Sequence, residues 1–158
     1  MVLMVTACVQ TQEITSAAVD VKMSRAGAEQ PIVGYWPSEV RAFQKNGGNK
    51  EEVIGANCAV SGDGFVANIM TPALVNVPHA AQNSKAVNVK CVTDNKEGAA
   101  NAQVYNKTTA DSANRATAMA GGGLLGAMIG SAIANNAENS RDPAGDTWAF
   151  RPINVDIE

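Results

Sequence analysis

Three cysteines are the residues of this chain best suited to chemistry, and their settings differ. Cys58 and Val60 share one strand face, with Asn57, Ala59 and Ser61 on the other. Val87, Val89 and Cys91 alternate in the same way with Asn88, Lys90 and Val92. Two thiols on inward strand faces suit a disulfide, and the expectation is that Cys58 and Cys91 face each other across a β core. The third, Cys8, follows a short apolar run ending Val5-Thr6-Ala7.

No other group of side chains reads as a reaction centre. The single histidine, His79, stands after Pro78 at the end of a strand pattern, with no identifiable nucleophile or orienting acid, and reads as an ordinary surface or turn residue. Two cysteines without Cys-x-x-Cys spacing make a weak zinc set. Glu138, Asp142 and Asp146 lie in a polar linker without a calcium-loop pattern. Gly121-Gly122-Gly123 is not followed by Gly-Lys-Ser/Thr, and no Gly-x-Ser-x-Gly occurs. The expectation is a protein that is not an enzyme, with no catalytic residue, no metal and no cofactor.

The chain has 158 residues, of which 46% are hydrophobic, 17% charged and only 4% aromatic, with a net charge of -3. That length fits one modest domain with tails, and so few aromatics imply a thin core that a cross-link would help. A charge this small, without blocks of like sign, argues against nucleic acid as a partner.

Elements must position the cysteines. Residues 1–8 have the apolar stretch and small residues of an export signal but lack its basic start, and Val5-Thr6-Ala7-Cys8 resembles the bacterial lipobox. The resemblance implies lipidation of Cys8 and attachment to a membrane. Val9, which is not the inner-membrane retention aspartate, implies the periplasmic face of the outer membrane. Residues 9–50 read as a polar tether with a short helix over 17–23. A second helical turn or two is capped by Ser38, carries Glu39, Val40 and Phe43, and stops at Gly47-Gly48-Asn49. Tyr35 and Trp36 read as core or lid, or as the lining of a partner site.

From about residue 51 the period changes to two. Asp63-Gly64 marks a type I′ hairpin between the Cys58 strand and a return over 65–69. Thr71-Pro72 breaks the ladder, Val75 and Val77 begin another strand, and Asn95-Lys96-Glu97-Gly98 reads as a turn before a short strand at 102–105. Ile153, Val155 and Ile157 form a one-sided strand in the closing segment, 147–158. The fold class is all-β: a small disulfide-linked sandwich of five to seven short strands with its core in 51–110. Closing the loop between the cysteines contributes about 3.5–4 kcal/mol in the chain-entropy model and calls for an oxidising compartment.

Gly55-Ala56-Asn57-Cys58-Ala59-Val60, Gly64-Phe65, Thr71-Pro72, Val75-Asn76-Val77 and Val87-Asn88-Val89-Lys90-Cys91 together resemble small proteobacterial envelope lipoproteins with a PEGA-like β-domain. Trp148-Ala149-Phe150-Arg151-Pro152-Ile153-Asn154-Val155 takes the place of that family's terminal strand. The likeness covers about two-thirds of the chain and departs at 95–102, which is polar where the family is aromatic-rich. It implies fold and compartment rather than a biochemical activity.

The span 111–146 holds a glycine-zipper segment and a polar linker. Over 116–137 there is no charge, and Ala118, Gly122, Gly126, Gly130 and Ala134 recur every fourth residue. On a helix this spacing makes a stripe along which another helix packs closely, with Gly122, Gly126 and Gly130 as the association face. Such a helix would reach roughly 30 Å, which is bilayer scale. The other open reading is a glycine-rich loop folded on the sandwich. The expected function is a structural or assembly role in the bacterial envelope, with the membrane, further copies or other envelope proteins as partners. The alternative is a soluble periplasmic module that binds a peptide, glycan or lipid on an open sheet edge.

Overall fold

Alternating apolar residues dominate the described chain, and alternation builds sheets. The computed structural model describes residues 9–24, 29–119 and 142–158. Cys8, Gly122, Gly126 and Gly130, and with them the lipidation and association-face expectations, lie outside the described residues. In chain order the strands are β1 (Val19–Asp20), β2 (Lys22–Met23), β3 (Gly34–Asn46), β4 (Asn49–Val53), β5 (Asn57–Gly62), β6 (Phe65–Met70), β7 (Ala73–His79), β8 (Val87–Thr93), β9 (Lys96–Ala102), β10 (Val104–Asn106), β11 (Trp148–Phe150) and β12 (Ile153–Ile157). One helix, α1 (Lys107–Met119), follows β10. The all-β expectation holds.

The chain divides into two units, Met1–Val104 with Phe150–Glu158, and Tyr105–Ala149. The first unit is the sandwich. One sheet runs β1-β7-β3-β12, with β4 also paired to β3; the other runs β2-β6-β5-β8-β9. From the first sheet Val40, Ala42, Val75, Val77, Val155 and Ile157 point inward, and from the second Cys58, Val60, Phe65, Val87, Val89 and Cys91. Valines and alanines predominate, so the core is thin, as the composition implies.

β12 pairs in parallel with β3, aligning Val155 with Ala42, and passes close to β9 at Gly98. A Cβ on Gly98 would meet the Asp156 carbonyl oxygen at 2.0 Å, so only glycine permits this approach. The Glu158 N–H donates to the Glu97 carbonyl at 3.2 Å, tying the two sheet edges together. On the opposite side β1 pairs with β7 and β2 with β6, so residues 19–23 pass from one sheet to the other. Both seams of the sandwich are thereby bridged.

In the second unit, Asn106 caps α1, its Oδ1 accepting from the Thr109 N–H at 3.0 Å. The Lys107 N–H donates to the Thr147 carbonyl at 2.8 Å, and Lys107 pairs with Asp111 one turn on. The helix therefore begins inside the span read as β core, 51–110.

Several local expectations are corrected. Residues 17–23 are not helical but form β1 and β2, and the turns expected after Ser38 are the middle of β3. β3 buries Ser38, Val40 and Ala42 at period two, and that face finds partners in β7 and β12, a gain the marginal helical pattern of a few residues cannot match. Within the span read as a tether, β1, β2, β3 and the start of β4 are strands of the sandwich. The turn after β8 falls at Asp94-Asn95, and Lys96, Glu97 and Gly98 already belong to β9. The hairpin at Asp63-Gly64 stands, but only Gly64 has positive φ, so it is not type I′.

Candidate functional site

Cys58 and Cys91 are bonded. They are register partners on β5 and β8, with Cα atoms 4.0 Å apart, and both are buried. The bond thus links neighbouring strands of one sheet and does not cross the core between sheets. Alternation places both side chains on an inward face but does not say whether two strands share a sheet, and here β5 and β8 are direct neighbours. The bridge lies beside Gly98, the register partner of Cys91, where β12 passes.

Above the outer face of the other sheet lies a charged cluster that the sequence reading missed. Arg41 projects from β3 and Glu52 from β4; Arg41 Nη1 meets Glu52 Oε1 at 2.6 Å, and Arg41 Nε meets Glu39 at 3.1 Å. The side chains of Arg41 and Glu52 are only 12% and 4% exposed. Part of that cover comes from the N-terminal arm. The Gln12 N–H donates to Glu52 Oε2 at 2.5 Å, and the Gln12 carbonyl accepts from Arg41 Nη1 at 2.8 Å. Burial opposes the guanidinium charge, but the hydrogen bonds and charges of Glu52 and Glu39 outweigh it and raise the Arg41 pKa above its ordinary value. Each charge has a partner, as a buried pair requires. The cluster is a clasp for the arm, and it offers no group prepared for acid, base or nucleophilic work.

A second clasp holds residues 29 and 30. The Asp63 carboxylate accepts from the N–H groups of Glu29 and Gln30 at 3.0–3.1 Å, while Lys85 pairs with Glu29. Those backbone bonds, chiefly that from Glu29, hold Asp63 below the usual carboxylate range. Asp63 and Lys85, with Ile32, Phe65 and His79, line a shallow recess. His79 ends β7 half-buried, its Nδ1 accepting from the Ala81 N–H at 3.3 Å and its ring lying over Gly34. Burial lowers its pKa.

Thr71, almost fully buried, secures the loop after β4. Its hydroxyl donates to the Val53 carbonyl at 2.8 Å and accepts from the Ala56 N–H at 3.2 Å. Ser38 donates to the Arg151 carbonyl at 3.2 Å, which satisfies the one polar side chain of β3 that faces the core. Tyr35 is 55% exposed and Trp36 packs partly against the core. As consecutive strand residues they point to opposite faces and cannot line one cleft. Outward on the second sheet, Ala59, Ser61, Asn88, Lys90, Ala99 and Asn101 line a trough of small and amide side chains.

Of the acids in the predicted linker, Asp142 accepts from the Ala144 N–H and Asp146 from the Asn106 side chain; Glu138 lies outside the described residues. Among the described residues no group of histidines, cysteines and acids is placed to hold a metal ion, and no helix is long and apolar enough to cross a membrane. No protein-family model, curated protein or solved structure matches the chain.

Proposed function

We propose that this chain is a lipid-anchored protein of the periplasmic face of the bacterial outer membrane, with a structural or assembly role in the envelope. The observation that carries the reading is the buried Cys58–Cys91 disulfide at the centre of the sandwich. Such bonds persist in oxidising compartments and are rare in the cytosol. With Val5-Thr6-Ala7-Cys8 upstream, the reading makes Cys8 the lipid attachment point. The resemblance to PEGA-like envelope lipoproteins points the same way, and the clasps around Arg41 and Asp63 serve architecture. The stripe of Gly122, Gly126 and Gly130 supplies the association face.

Mass spectrometry of protein taken from membranes tests the anchor: a diacyl mass on a peptide beginning at Cys8 is expected, and an unmodified peptide running through Ala7-Cys8 refutes it. Gly126→Leu tests the assembly role. It places bulk where two backbones meet, so a higher-order species in mild detergent should disappear while the circular dichroism of the sheets is unchanged. A wild-type chain that is monomeric throughout defeats that role.

The trough on the second sheet favours one other reading, a soluble periplasmic module for a glycan or peptide. Its amides and the Lys90 ammonium present donors and acceptors to a polar ligand. The edge-binding form of that idea has less to work with. Residues 19–23 bridge one seam, and β4 presents the exposed charges of Lys50 and Glu51, which discourage strand addition.

A further inference from the structure

The trough on the outer face of the second sheet has a period that a ligand can match. Ser61 on β5, Asn88 on β8 and Asn101 on β9 are register partners, so they form one row running across the strands. Ala59, Lys90 and Ala99 form the next row. Strand alternation points all six outward. Lys90 pairs at 2.7 Å with Glu97, a residue of the row beyond, and leaves the space over the first row open. The result is a trough of about 240 Å³ with alanine methyls in its floor and polar groups along its side. Among the described residues, the side chains of Ser61, Asn88 and Asn101 have no hydrogen-bond partner within the protein.

Those groups suit a sugar chain. A side-chain amide both donates and accepts, as does the serine hydroxyl, and sugar hydroxyls and acetamido groups need both in return. The alanine methyls give the C–H face of a ring an apolar floor. Neighbouring strands lie about 4.8 Å apart, close to the length of one ring in an extended chain, so successive rings laid across β5, β8 and β9 each meet one polar side chain. Lys90 and Glu97 neutralise each other, so the trough carries no net charge and fits a neutral ligand. An extended peptide has less to hold it, because peptides bind sheets chiefly by adding main-chain hydrogen bonds at an edge, and this is a face. We propose that the row of Ser61, Asn88 and Asn101 binds a neutral, N-acetylated glycan in extended form, lying across the strands. The proposal rests on the reading of this trough as a binding face and narrows its ligand to a glycan; it does not depend on a lipid anchor.

The test titrates the full-length chain, by calorimetry, with β-linked oligomers of N-acetylglucosamine and, separately, with an extended peptide of asparagine, serine and glycine. Affinity should rise about tenfold from the dimer to the tetramer as further rings reach the row. Asn88→Ala and Asn101→Ala should each weaken the tetramer about three- to tenfold, and the double variant more, while circular dichroism and the melting temperature stay unchanged. Asn57→Ala lies on the same outer face but outside the row, and should leave the affinity as it is. Glycan binding that survives in the folded double variant overturns the proposal. Binding of the peptide and not the glycan, lost in the double variant, overturns the glycan and leaves the binding face standing. Binding of neither probe overturns both.

Discussion

Arg41 and Glu52 show how one residue pair can decide where a segment goes. A nearly buried ion pair is costly unless every charge and lone pair finds a partner, and here the main chain of Gln12 supplies the remaining ones. Cys58 has a comparable local weight. Cys58→Ser removes a constraint on a 33-residue separation, about 3.5–4 kcal/mol in the chain-entropy model, and should lower the melting temperature by on the order of 10 °C or more. Thermal unfolding with and without reductant measures this, and reductant should no longer affect the variant. His79 makes a prediction about pH. Its pKa is lowered in the folded state, so the unfolded chain binds the proton more readily and stability falls as pH drops from about 6.5 through the lowered value. Protonation also removes the Nδ1 acceptor from the Ala81 N–H. Urea midpoints at two pH values either side of 6.5 should differ more for the wild type than for His79→Asn.

At the scale of elements, β9 and β12 matter most, because they join the two sheets without a continuous ladder. Their approach depends on Gly98, where even a methyl group would collide with the Asp156 backbone. Backbone cannot rotate away as a side chain can, so Gly98→Ala must move a whole strand. Overpacking of this kind costs about 1–3 kcal/mol. Denaturant unfolding should register that loss, and hydrogen exchange at Glu158 should accelerate as its bond to Glu97 opens. Unchanged exchange there would show that the seam does not rely on the contact.

For the whole molecule, the division into units makes Tyr105–Ala149 an insertion in the sandwich. β10 and β11 are hydrogen-bonded neighbours, so the two ends of the insertion lie side by side and a short linker can close the gap. A chain with residues 105–149 replaced by a short glycine-serine linker should keep its sheet spectrum, its disulfide and a cooperative unfolding transition, because the core residues of β3, β5, β7, β8 and β12 all lie in the first unit. Loss of the transition would mean that the insertion supports the sandwich. If the chain retains its fold but no longer assembles in detergent, the assembly face belongs to the insertion.

What the sequence determined by itself was periodic and local. The alternation around Cys58, Val87, Val89 and Cys91, the glycine at a two-residue hairpin and the one-sided run Ile153-Val155-Ile157 were enough for an all-β class, a closing strand and the identity of the disulfide partners. Those signals depend on which way neighbouring side chains point, and every residue carries that information. Tertiary structure alone decided who neighbours whom. It put Cys58 and Cys91 in one sheet, drew Ser38 into a long strand against the helical hint around it, and placed Gln12 over Arg41 and Glu52. Gly98 looked like a turn residue until β12 lay against it. Pairings between residues 29 to 113 positions apart leave no period in the sequence; they form because each strand face and each buried charge must find a partner somewhere in the same small core.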